Sequence, residues 1–179
     1  MTPLSHYLVI KIKNALTKDS RKVLEDNLEH IYTKKGATYE KDGQIIAIFS
    51  PIVTHTTKNE VNAVKAAEVI KKNLMEYNKK FSDKIIFGFG INSGEIINKI
   101  EDKKLKYTPL GNLIPAAKKT AEVSKGEILL TKEAAAKAQS EIKCNKRPDG
   151  YFGINRIIDS EKNNEFINKF MKRREMDKK

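Results

Sequence analysis

The stretch KIIFGFGINSGEIINKI, residues 84–100, decides how the chain folds. It is rich in Ile and Phe and broken by Gly88, Gly90 and Gly94. Such a run reads as a strand entering a hairpin, with glycines where the backbone bends or is closely approached. Leu105–Leu110 is its natural returning partner. Upstream, the 24 residues Lys58–Phe81 place Val61, Val64, Ala67, Val69, Ile70, Leu74 and Tyr77 on one broad stripe with lysines between them. That spacing predicts a long amphipathic helix packing through Val64, Ala67 and Leu74. Before it, ATYE (37–40) and QIIAIFS (44–50) flank Lys41-Asp42-Gly43, and Asp-Gly between such runs is a strong hairpin signal.

Working outward, HYLVIKIK (6–13) reads as a partly buried strand. Residues 17–35 read as one helix capped by Thr17 or Asp19 and stopped by Gly36. Downstream, Asn112 stands where it can cap a helix running to about Ser124. EILLT (127–131) is a strand, residues 133–140 an Ala-rich helix behind Thr131, and YFGINRIID (151–159) a last strand. The order β α β β α β β α β α β, with two hairpins, predicts an α+β fold. It is a ferredoxin-like βαββαβ arrangement with a mostly antiparallel sheet, and it excludes a doubly wound parallel one.

The composition limits the function classes. With 179 residues, 39% apolar and 32% charged, the chain has material for one core and no uninterrupted apolar run of membrane length. The division is a domain at 5–159 and a basic C-terminal helix or tail at 160–179, where Phe166, Ile167, Phe170 and Met171 share one helical face. The apolar run before Lys11 is too short for a secretory signal, so cytoplasmic residence is expected. A single cysteine, Cys144, excludes an internal disulfide. The net charge of +12 rests on 30 Lys against 5 Arg. That Lys bias disfavours nucleic-acid recognition, which tends to recruit the bidentate Arg fork, and reads as a solvated surface. His6, His30 and His55 are scattered and read as structural or solvated, and Glu95 as a surface strand residue.

The ordered matches Gly90-Ile91, Gly94-Glu95, Tyr107-Thr108, Gly111, Ala117 and Gly126-Glu127-Ile128, with DGQIIAIFSP (42–51) upstream, are similar to the class III nucleotide (adenylate/guanylate) cyclase catalytic domain. The resemblance covers most of residues 7–158. It implies a homodimer with its pocket at the subunit interface. It also implies two metal-binding Asp, a ribose-positioning Asn and a charge-stabilising Arg. At the corresponding positions this chain has Lys11 for the first Asp, Asp42 as the surviving candidate for the second, Pro115 for the Asn and Lys119 for the Arg. Lys106 falls at a purine-selecting position, and Asn112 where Asp is usual after Gly111.

The reading is therefore a degenerate, catalytically inactive cyclase-like domain acting as a dimerising regulatory or nucleotide- or anion-sensing module. The expected binding positions are Lys11, Asp42, Lys106, Asn112 and Lys119, with no catalytic residue. No cofactor or metal is expected, and Mg²⁺ or Mn²⁺ would enter only for a divergent active adenylate cyclase. The other alternative is a basic nucleic-acid-binding protein.

Overall fold

The computed structural model describes residues 4–101, 104–109 and 111–158. The chain runs β1 (Leu4–Ile12), α1 (Lys18–Asn27), α2 (Glu29–Tyr32), β2 (Ala37–Lys41), β3 (Gln44–Phe49), α3 (Pro51–Thr54), α4 (Asn59–Lys80), β4 (Phe87–Glu101), β5 (Lys104–Pro109), α5 (Leu113–Val123), β6 (Ile128–Leu130), α6 (Lys132–Ala138), β7 (Ile142–Lys146) and β8 (Phe152–Ile157). The sheet order is β2-β3-β1-β4-β6-β8-β7, with β5 paired to β4 beyond the main sheet. Every pairing is antiparallel except β4 with β6. This is the mostly antiparallel α+β sheet that the two hairpin signals require.

Two layers cover the sheet because strand side chains alternate between faces. Leu8 and Ile10 of β1, with Phe89 and Ile91 of β4, point to the larger core beneath α4, which buries Val64, Ala67, Ile70 and Leu74. Tyr7 and Val9 of β1, with Ile46 and Ile48 of β3, point the other way and join Ala117 and Ala121 of α5 in a smaller cluster. The glycines of β4 explain how α5 sits there. A Cβ on Gly90 would lie under 3.0 Å from Ala117 O, Ala121 N and Thr120 Cβ, and one on Gly88 would meet Ala121 O. A Cβ on Gly94 would run into the Leu113 side chain. These three positions form a smooth track along one face of β4 on which the backbone of α5 rests.

Three local readings are corrected. The helix expected over 17–35 breaks at Leu28 into α1 and α2, capped at its start by Thr17, which accepts from Ser20 N. Strand β7 falls in IKCNK, where no alternation marks it, and pairs with β8 across an irregularity between Lys143 and Cys144. Asn112 directly precedes α5 but makes no side-chain capping bond, its backbone (φ −93°, ψ 26°) not being extended as capping requires. The expected tail at 160–179 lies outside the described residues.

The start of β1 carries a buried polar group. His6 Nδ1 lies 2.5 Å from Ser93 Oγ on β4, and His6 Nε2 lies 3.2 Å from Glu60 Oε2 in the first turn of α4. Beside it Thr131 Oγ1 donates to Asn92 Oδ1 at 2.6 Å and caps α6 by accepting from Ala134 N. Of the two readings offered for His6, structural or solvated, its burial excludes the solvated one.

Candidate functional site

Two of the positions singled out by the resemblance, Lys11 and Asp42, lie at the opposite end of β1, where the strand leaves the core. Lys11 faces the α5 side in register with Gln44 of β3 and Gly88 of β4. Its ammonium pairs with the Glu122 carboxylate from the last turn of α5. Lys13, two residues on, donates to the carbonyls of Glu122 (2.7 Å) and Ser124. Cations at a helix C-terminus meet the negative end of its dipole and the carbonyls that lack intrahelical partners. The Lys11 bond, more than burial, holds the Glu122 carboxyl below the usual carboxylate range, with Lys13 adding to it.

Asp42 sits in the β2–β3 turn with left-handed backbone (φ 54°), a conformation that Asp tolerates in tight turns. Its side chain is 70% exposed and accepts from Lys118 Nζ of α5 at 3.4 Å. Lys118 and Glu122 are one helical turn apart, so α5 presents one cation and one anion on the same face. Each closes an ion pair with a strand that the resemblance assigns to metal binding. Between them lies Gln44, whose Oε1 is buried without a hydrogen-bond donor.

The other positions are less closely gathered. Lys119 lies on an exposed part of α5, and Asn112 is exposed before that helix. Lys106 is on β5, its backbone in register with Lys99. The structure therefore joins Lys11 and Asp42 through α5, while Asn112 and Lys119 are exposed before and on that helix and Lys106 lies on β5. Glu122, Lys118, Lys13 and Gln44 were missed from sequence. The signal available for the first two was their i, i+4 spacing behind Ala117, on the helix that the β4 glycines receive.

This donor set does not fit two divalent cations. The Lys11 ammonium, paired to Glu122, stands where the resemblance expects the first carboxylate, and Asp42, expected as the second, is solvent-exposed and paired to Lys118. Hard divalent cations need several converging oxygens, mostly anionic. Among the described residues no group of three or more His, Cys, Asp or Glu side chains converges on a point.

No protein-family model matches the chain, and no curated protein does. Solved structures do. The guanylyl cyclase Cya2 superposes with a TM-score of 0.66 at 18% identity, covering 89% of this chain and 97% of that one. The adenylyl cyclase CyaB from P. aeruginosa gives 0.62 at 18% identity, over 89% and 96%. The monomeric guanylyl cyclase domain of the RhoGC fusion protein from the aquatic fungus Blastocladiella emersonii gives 0.66 at 15% identity, over 86% and 95%. That fungal domain has also been crystallised as a dimer. The chain thus has the fold of the nucleotide cyclase catalytic domain, which the ordered glycines and the Asp42-Gly43 hairpin led us to expect. At these identities the likeness concerns the fold alone.

Proposed function

We propose that this chain is a cyclase-type domain without metal-dependent cyclisation, working as a dimerising regulatory module that senses a nucleotide or another anion. The observation that carries the reading is Lys11. An ammonium fixed to Glu122 at the first metal position already supplies the positive charge that a cation would bring there, and it repels a cation. Asp42 alone cannot replace the lost carboxylate. Pro115 offers no polar group at the ribose position, and Lys119 brings a point charge where a planar fork would grip the phosphate.

What the site can still do is bind. Lys119 is exposed on α5, and the buried Gln44 Oε1 calls for a donor such as a ligand hydroxyl or amine. The test is calorimetric titration of the purified chain with ATP and GTP, with and without Mn²⁺, beside an assay for cyclic product. We expect affinity that does not need the metal, falls with salt and weakens in Lys119→Ala, with no cAMP or cGMP formed. Product formation abolished by Asp42→Ala would overturn the reading in favour of a divergent enzyme. Absence of any affinity would reduce the domain to a scaffold.

A further inference from the structure

The α4 side of the sheet is roofed unevenly. Helix α4 lies chiefly over β1, β3 and β4, and α6 starts only after Leu130, at the C-terminal end of β6. At the opposite end, where β6 begins at Ile128 beside Phe89, two adjoining cavities of about 510 and 580 Å³ open. They share Lys71, Met75 and Glu127 and form one groove between α4 and the β6–β8 half of the sheet. Each volume falls within the about 300–1,000 Å³ of small-molecule sites.

The groove is apolar at its floor and mouth and cationic at one end. Phe87 and Ile128 are buried on the floor and Ile154 partly so, while Met75 and Ile86 stand at the mouth 45% and 54% exposed. The wall carrying Ile86 is tied on both sides. Ile86 N–H donates to Asn14 Oδ1, Lys13 N–H donates to Ile86 O, and Asn78 exchanges two bonds with the Ile85 backbone, all at 2.8 Å. An apolar side chain held in water on a fixed backbone gains free energy from apolar surface that covers it. Lys13, Lys71, Lys84 and Lys125 line this end against one carboxylate, Glu127. Glu127 is already engaged by the Arg147 guanidinium and, at 3.0 Å, by Lys125 N–H. Lys13 and Lys84 each use two donors on carbonyls at the ends of α5 and α4 and keep a third. At the other end Glu68 and Glu76 of α4 alternate with Lys72 and Lys79, so neither sign dominates.

We propose that this groove binds a free single-tailed amphiphilic anion of the fatty carboxylate class, its carboxylate at Lys71 and Lys125 and its tail over Phe87, Ile128 and Ile154. The tail matches the apolar floor and mouth, and the carboxylate matches the excess of ammonium groups at one end. A small anion such as phosphate would leave Met75 and Ile86 in water, and an uncharged tail would leave the lysines unmatched. The floor belongs to the core beneath α4, whereas Lys119 is on α5. The inference therefore stands without the function proposed above.

The chain contains no Trp, so Ile86→Trp in the full chain places a lone reporter at the mouth. Titrated with dodecanoate below its micelle-forming concentration, it should show a saturable blue shift, with one site per chain by calorimetry on the unsubstituted protein. Affinity should rise from octanoate to dodecanoate by up to about fourfold per methylene. It should fall with rising salt, and by at least about tenfold when Lys71→Gln and Lys125→Gln are combined while circular dichroism stays native. Dodecyltrimethylammonium should bind more weakly than dodecanoate. No saturable binding up to about 1 mM dodecanoate would overturn the proposal. So would equal binding of the cationic analogue, or an affinity indifferent to salt and to the two lysine substitutions. Loss of binding in Lys119→Ala alone would place the anion at α5 and refute this site. Binding to phosphatidylglycerol vesicles without binding to dodecanoate would also refute it, the surface then being a membrane contact.

Discussion

Replacing Gly90 by Ala tests whether α5 is placed by the glycine track. The new Cβ would stand within 3.0 Å of Ala117 O and Ala121 N, both backbone, and 2.9 Å from Thr120 Cβ. None of these is the free end of a flexible side chain, so the helix itself must move by roughly 1 Å. Overpacking of this kind costs about 1–3 kcal/mol, and more where the backbone must shift. For a chain of this size each kcal/mol lowers Tm by about 2–4 °C, so a fall of roughly 6–12 °C is expected at the upper end of that cost. Gly153→Ala is the control. It lies on β8 with nothing within 4 Å of its Cβ, and the change should be close to neutral. Differential scanning calorimetry on both variants, with urea melts for ΔG, measures the contrast. If Gly90→Ala melts within about 2 °C of Gly153→Ala, less than 1 kcal/mol by the same conversion, α5 does not rest on β4 as described.

Further outcomes follow from the ion pairs and the buried polar group. His6→Ala strips Glu60 and Ser93 of their shared partner inside the protein and should cost about 3 kcal/mol; a His6/Glu60 double-mutant cycle in urea should show coupling of at least about 0.5 kcal/mol, and additivity would refute the contact. Because the folded-state pKa of Glu122 is lowered chiefly by Lys11, its stabilising effect is present above the ordinary glutamate pKa and lost as pH falls through the folded value. Glu122→Gln should therefore flatten the acid limb of the stability curve slightly, the carboxylate being more than half exposed; an unchanged limb would count against the pair. Thr131→Ala removes both the α6 cap and the bond to Asn92, and a loss of about 1–2 kcal/mol is expected in denaturant melts.

The sequence revealed the fold wherever a local pattern had to be satisfied on the spot. Asp42-Gly43 between two apolar runs forced the first hairpin, and the stripe on Lys58–Phe81 forced α4 onto the sheet. Gly88, Gly90 and Gly94 announced a close approach without saying of what; the approaching backbone, α5, lies some thirty residues away in sequence. Strand β7 was invisible because Lys143, Asn145 and Lys146 leave it with few apolar side chains, and its pairing to β8 is a tertiary choice. At the site, changes of residue type at single positions could be read directly. The partners could not, since Lys11 and Glu122 are 111 residues apart and meet only because α5 ends over β1.

That meeting bears on how a cyclase fold could persist without carboxylates at the positions that the resemblance assigns to metal binding. Removing an Asp pair that holds cations would leave the end of β1 poorly neutralised if nothing else changed, and placing Lys there would set an ammonium near Lys13. In this chain both cations are absorbed by one helix terminus: Lys11 by the Glu122 side chain and Lys13 by the carbonyls of Glu122 and Ser124. Lys118 on the same helix balances Asp42. On the proposed reading, the charge that metals would bring from solution is supplied by the chain itself. On the function proposed above, the ligand that would organise this end of the pocket is an anion at Lys119 and not a cation, and that position can be changed by substitution without touching the glycine track that holds α5.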